Sequence, residues 1–412
     1  MKIAFLYGKF SLGNRPFNYD DLYGDPRGLT GSELSCVEYA QAMQKRGHDV
    51  SLIVGQEMAP REWRGLNVRQ LDDPHAVDGC DVVYSWNEPN LLREVTPSAV
   101  RLVNQQLNDF AYCRPGWEEW CDLVTSPSAC HRDFLRKQAP AVKAWEVIPN
   151  GCDPSQYQQD RRIPGRVIWA SSADRGLHRL LEMWPEIKRR VPHASLRCFY
   201  HFQPAHFDDY EQTGPNVHPD LLEIAQRKRY IRYAMGKLAD PKWDVEHVGS
   251  VSRDRMRAEW EKAEVLAYCA DTIRWTEGFS VTTLEACASG CLPIITDVDA
   301  LGAIYGHAAP LAHLALPGTI HTPGKEPVPF AGGFSDSVRE RFIELVVRGL
   351  VDAEWREDHQ SLCRILAESH AWPTLAEQLE GVLERAVAAK RGKKKGKGRR
   401  LSDSATAEEA GR

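Results

Sequence analysis

Residues 264–296, EVLAYCADTIRWTEGFSVTTLEACASGCLPIIT, carry the reading that decides the fold. EVLAYC is a short apolar run of strand type, VTTLEACASG reads as a helix, and LPIIT is a second buried-strand run. Strand, helix and strand in this order are one step of an α/β rhythm, the kind that builds a parallel sheet with helices on its faces.

The same rhythm extends upstream. From residue 166 come the strand RVIWASS, the helix LHRLLEMWPEIKRR, the strands SLRCFY and VEHVGS, and the helix DRMRAEWEKA. Between Tyr200 and Pro241 an insertion combines a polar loop with the helical stretch LLEIAQRKRYIRYAM. The N-terminal half opens with KIAFLY, a glycine loop GLTGSE, the helical pattern LSCVEYAQAMQKRG and the strand DVSLIVG, and repeats through DVVYSW, RLVNQQ and DLVTSP. VIPNGCDPSQY, at 147–157, gathers Pro, Asn and Gly turn formers where one series ends and the next begins. These patterns predict an α/β protein of two tandem Rossmann-like doubly wound domains, residues 1–150 and 151–389, enclosing a cleft. Amphipathic helices after about residue 335 close the second domain and return to the first.

The chain has 412 residues, 42% of them hydrophobic, enough for two cores of ordinary size. No apolar run reaches the roughly 18 residues of a membrane span, and the N-terminus lacks the pattern of a secretory signal, so a cytoplasmic location is expected. Eleven cysteines lie scattered without zinc spacing or a disulfide pattern. Of the net charge of −5, Lys390–Arg400 (KRGKKKGKGRR) contributes eight positive charges and no negative one, so the rest of the chain stands at −13. Residues 390–412 read as a disordered tail. It is either a plain solvating segment or a tether to an anionic membrane surface, peripheral at the inner face, or to nucleic acid. No stable protein partner is evident.

Within 276–296 two glutamates stand eight positions apart. Glu277 lies in the loop after the strand and Glu285 on the helix that follows. Gly278 lets the backbone approach a ligand, and the amides of Phe279, Ser280 and Val281 open the helix as unpaired donors at its positive end, the outline of a diphosphate site. Glu285, more than a turn into the helix, is then placed to accept from a ribose diol, as acidic residues do in other doubly wound folds. Glu277 falls near the sugar. The plainer reading is a strand-loop-helix with one first-turn charge and one exposed helical carboxylate.

TEGFSVTTLEACASGCLPIIT resembles the EGFG-x-x-x-LEA-x-A-x-G-x-PVI signature of the family-4 retaining glycosyltransferases of the GT-B fold. GLTGSE with AQAMQKRGHDVSLIV, IPNGCDPSQY, VEHVGSVSRDRM and HAWPTLAEQL, with Trp372 in place, resemble further segments of that family in the same order, up to about residue 385. The resemblance implies transfer of a sugar from a nucleotide-diphosphate sugar, with retention, to a carbohydrate or lipid-linked acceptor. The nucleotide sugar is a co-substrate; no cofactor and no metal are implied. In WASSADRGLHRLLEMW the family's phosphate-binding lysine before glycine is replaced by Arg175, whose guanidinium fork pairs with phosphate at least as well. Ala170 stands where the family has a second basic residue, which shifts weight onto Arg175. Ser280 replaces the second glycine of EGFG. In QLNDF, where many members carry a catalytic-region histidine, Asp109 is either an acceptor-side group or an ordinary loop aspartate. Gly31 either lets backbone approach the donor phosphate or acceptor or is a turn glycine before a helix.

Asp297 and Asp299 form an Asp-x-Asp, the metal-holding pair of the other large transferase fold. Its place after the glutamate helix reads as a turn instead. A sugar-nucleotide epimerase of similar architecture and a non-catalytic binding protein on a degenerate transferase fold are the alternative readings.

Overall fold

The computed structural model describes residues 1–8, 23–24, 29–55, 61–158, 161–200, 219–273, 275–309 and 335–409, with side chains beyond 392 left aside. Two compact units emerge. The first comprises Met1–Phe17, Ser32–Ile148 and Trp372–Arg412; the second comprises Asn18–Gly31 and Pro149–Ala371.

The first unit is built on β1 (Lys2–Tyr7), α1 (Gly31–Lys45), β2 (Asp49–Val54), β3 (Arg61–Trp63), β4 (Leu66–Gln70), β5 (Val82–Trp86), β6 (Val100–Asn104), β7 (Leu123–Ser126), α2 (Ala129–Gln138) and β8 (Trp145–Val147). The sheet order is β3-β4-β2-β1-β5-β6-β7-β8. All pairings are parallel except β3 with β4. Strands covered on both faces need apolar residues at consecutive positions, and β1 and β5 have them: Ile3, Ala4, Phe5, Leu6, Val82, Val83 and Tyr84 are all buried. The antiparallel β3–β4 hairpin, which the sequence pattern does not predict, turns through Arg64 and Gly65, both at positive φ (48° and 82°).

The second unit contains β9 (Arg166–Trp169), α3 (Leu177–Arg190), β10 (Ser195–Phe199), α4 (Pro219–Lys237), β11 (Val245–Gly249), α5 (Arg253–Lys262), β12 (Val265–Tyr268), α6 (Val281–Ser289), β13 (Leu292–Ile295), α7 (Leu301–Tyr305), α8 (Asp336–Val351) and α9 (Ala353–Ser369). Its order, β11-β10-β9-β12-β13, is wholly parallel. The chain starts in the middle at β9, runs outward one way and then restarts at β12, so the switch point lies between β9 and β12. Trp169, Trp184, Trp260 and Tyr268 fill the core beneath it. The polar loop of the 200–241 insertion lies outside the described residues, and its helical stretch forms α4.

The last helix, α10 (Trp372–Glu409), returns to the first unit. Trp372 meets Tyr39 edge-on at 5.2 Å, Gln378 donates to the Val147 carbonyl, and Glu380 accepts from Arg46 and His48. The second unit therefore ends at Ala371 rather than 389. The segment expected to be a disordered tail continues as this helix, and Lys390 and Arg391 pair with Asp122 and Asp81. Those carboxylates lie at the N-terminal ends of β7 and β5, where the helix meets them. Among the described residues no helix is long and apolar enough to cross a membrane. The eleven cysteines are free thiols, most of them buried as small apolar residues.

Candidate functional site

In an open parallel sheet the loops at the carboxyl ends of the strands diverge at the switch point and leave a crevice there. In the second unit these are the loops after β9 and β12, and they carry Arg175 and Glu277. Arg175 ends a short 3-10 turn, and Gly176 follows at φ 136°. A Cβ on Gly176 would stand 2.2 Å from the Cys269 carbonyl oxygen. Glycine is thus the residue that lets this loop lie against the end of β12, and the Asp271 amide donates to the Arg175 carbonyl at 2.8 Å.

The Arg175 Nη1 donates to Glu277 Oε1 in a charge-assisted bond. Glu277 is 1% exposed, whereas the Arg175 side chain keeps 36% of its surface. The guanidinium has five N–H groups, so it holds Glu277 and still presents donors outward. Below Arg175 lies a buried ionic cluster. Asp271 accepts from Arg179 at 2.8 Å and faces His178 at 3.3 Å, and Arg227 donates to the carbonyls of Asp174 and Asp271. Burial alone would raise the Asp271 carboxyl, but His178, Arg227 and Arg179 outweigh it and hold the group at about 2. The charges that fix this loop are therefore permanent at neutral pH.

Gly278 and Phe279 lead from Glu277 into α6. The left-handed residue here is Ser280, φ 71° and ψ 81°, whose side chain accepts from the Thr283 amide and whose carbonyl accepts from the Tyr305 hydroxyl. A non-glycine residue at such a φ costs on the order of 1–3 kcal/mol and persists only where its surroundings over-determine it, as the cap and Tyr305 do here. The amides of Phe279, Ser280 and Val281 donate to no acceptor among the described residues. Thr282 ties α6 to the end of β9 by donating to the Ala170 carbonyl at 2.7 Å, which gives the residue at 170 a backbone role in place of a charged one.

Glu285 lies inside the unit and is 4% exposed. Its Oε1 accepts from Arg253 and its Oε2 from the Trp260 indole at 3.2 Å. The simple expectation of a carboxylate standing ready for a ribose needs this amendment: Glu285 is already oriented by two donors, and each oxygen keeps a lone pair for a third. No sequence pattern singles out Arg253 or Trp260. Arg253 lies in the VSRDRM turn, whose resemblance marks only a position before the nucleotide base.

The Asp-x-Asp residues part company. Asp299, at φ 54° and 7% exposed, accepts on Oδ2 from the Thr276 amide (2.8 Å), the Glu277 amide (3.0 Å) and the Thr272 hydroxyl (3.0 Å). The Asp297 carboxylate lies against Gly302. Among the described residues no group of three His, Cys, Asp or Glu side chains is arranged to hold a metal ion.

Asp109, in the first unit, is exposed and makes a local turn, accepting from the Ala111 amide at 3.0 Å. Gly31 is the first residue of α1. The structure thus brings Arg175 and Glu277 together at the carboxyl ends of β9 and β12, with the 279–281 amides and Glu285 following on the same loop and helix. Gly31 abuts the start of that helix: a Cβ on it would stand 2.9 Å from Val281 Cγ2.

No protein-family model and no curated protein matches the chain. Solved structures do, over nearly the whole length. AviGT4, a glycosyltransferase involved in avilamycin A biosynthesis, is 15% identical, with 94% of this chain and 98% of that one covered at a TM-score of 0.59. An α-glucosyltransferase (AGT) in complex with UDP is 12% identical, with 93% and 100% covered at 0.61. HepE of Anabaena, in complex with UDP and glucose, is 13% identical, with 93% and 100% covered at 0.60. The fold is GT-B. At such identities the likeness is one of fold, and the chemistry has to be argued from the residues.

Proposed function

We propose that this chain is a retaining, metal-independent glycosyltransferase of the family-4 type, using a nucleotide-diphosphate sugar as donor. The observation that carries the reading is the meeting of Arg175, Glu277 and the free amides of 279–281 at the β9/β12 switch point. Cation, amides and helix dipole suit a diphosphate; a buried, oriented carboxylate beside them suits sugar hydroxyls. The neighbours bound to UDP, one of them with glucose, favour a UDP-sugar.

In this reading the bond between the anomeric carbon and the phosphate oxygen breaks, and its electron pair goes to the diphosphate. Arg175 and the amides stabilise that charge. The acceptor hydroxyl attacks the oxocarbenium-like sugar on the face the diphosphate leaves, and its proton passes to the departing phosphate oxygen. Front-side entry retains the anomeric configuration. Glu277 orients the sugar, and Glu285, held by Arg253 and Trp260, takes the ribose. In this reading Gly31 lets backbone approach the donor phosphate or the acceptor, Asp109 is an acceptor-side group, and a carbohydrate or lipid-linked acceptor is the proposed partner.

The test is a panel of nucleotide sugars scored first by thermal shift, because a ligand bound to the native state raises its stability, and then by transfer to glycan and lipid-linked acceptors. A UDP-sugar that raises the melting temperature and is turned over with retention supports the reading. Full activity in EDTA is expected. Loss of activity restored by manganese would overturn the metal-independent part, and inversion at the anomeric carbon would overturn retention.

A further inference from the structure

We propose that Asp299 is a positioning residue for Glu277, a role no motif assigns to it; the proposal rests on the reading of Glu277 as a donor-sugar ligand. One oxygen of a buried carboxylate gathers three donors, two of them the consecutive main-chain amides of Thr276 and Glu277. In return the Ala300 amide, next in the chain, donates to the Glu277 carbonyl at 3.1 Å. Glu277 is thus gripped at both its N–H and its C=O by residues 299–300, while its side chain is held by Arg175.

The grip is costly to build. Asp299 is an aspartate at positive φ, almost wholly buried, with Glu277 as a neighbouring like charge. Desolvation and strain of this kind persist where the surroundings over-determine them. An alanine here leaves the half-buried Thr276 amide and the buried Glu277 amide without this acceptor, and the loop relaxes. Because the anomeric centre and the Arg175 fork both depend on where Glu277 stands, a shift on the order of 1 Å is enough to cost about 10²-fold in rate.

The experiment places Asp299→Ala and Asp299→Asn in the wild-type and Glu277→Gln backgrounds. Amide exchange at Thr276 and Glu277 is followed together with kcat and KM for the nucleotide sugar used by the wild type. Expected are faster exchange at both amides, a fall in kcat on the order of 10²-fold for the alanine variant with donor KM changed far less, and a smaller fall for asparagine, which keeps one acceptor. In the Glu277→Gln background the alanine variant adds little, because the two changes act on one unit. Equal losses in both backgrounds, or unchanged exchange at the two amides, would overturn the proposal. Failure of the transferase reading looks different: the wild type itself turns over no nucleotide sugar, and the exchange measurement then decides whether Asp299 holds the loop.

Discussion

Arg175 and Glu285 separate two halves of donor recognition. Arg175 presents its fork at the reacting end, so Arg175→Ala is expected to lower kcat by about 10²–10³-fold, the scale of losing one preorganised charge stabiliser. Glu285 accepts from two donors and, in the proposed complex, a ribose; Glu285→Ala is expected to raise donor KM about 10- to 100-fold with kcat less affected. Steady-state kinetics with the cognate nucleotide sugar distinguishes the two patterns, and equal effects on both parameters in both variants would contradict the division. Asp299 adds a pH dependence. Burial, partly offset by the amides it accepts from, pushes its carboxyl up to about 6 from an ordinary 3.8. The folded chain therefore takes up this proton before the unfolded chain does. By this group alone, stability falls as pH rises from about 4 to 6 and is level above. Activity runs the other way, since the ionised carboxylate is the better acceptor: kcat is expected to drop as pH falls through about 6, and the limb is expected to be absent from the profile of Asp299→Asn.

At the scale of elements, the loop after β9 is the place where a small change is least tolerated. Gly176→Ala sets a methyl group against the Cys269 carbonyl at a φ that side chains rarely adopt, and a loss of stability on the order of 2 kcal/mol is expected in urea unfolding. A loss under about 0.5 kcal/mol would mean that the loop relaxes freely. Much of this layer is legible in the sequence. Strands covered on both faces have continuous apolar runs, so β1, β5, β9, β12 and β13 stand out, and the glycine after Arg175 marks its loop. The hairpin β3–β4 does not stand out, because REW and LNVRQ mix polar with apolar residues and offer no continuous apolar run. The partners of Glu285 are hidden for another reason: Arg253 and Trp260 are 32 and 25 positions away from it and meet it through the packing of α5 on α6. Asp299 is visible as a residue, but its acceptor role depends on backbone amides, which no side-chain pattern reveals.

At the scale of the whole molecule, α10 is a separable support for the first unit. Ending the chain at Ala371 removes the Trp372–Tyr39 contact and the Glu380 pairs with Arg46 and His48. Circular dichroism and denaturant unfolding are expected to show loss of the first unit's cooperative transition while the second unit still unfolds as one. Retention of both transitions would show that the helix is dispensable. Ending instead at Ala389 removes the Lys390 and Arg391 pairs together with the last turns of the helix; for exposed or half-exposed pairs the loss is about 1 kcal/mol or less.

The return of α10 also bears on how the chain comes to be folded as it is made. The first unit is begun at Met1 and completed only by residues after Ala371, with most of the second unit translated in between. At about 5–20 residues per second that interval is roughly 10 to 45 s. During it the faces of α1 and β8 that receive α10 are uncovered, whereas the stretch 149–371 is complete as soon as it emerges. The second unit, later in sequence, is thus in a position to finish first, and the interval is a window in which a chaperone on the nascent chain would find apolar surface around Tyr39.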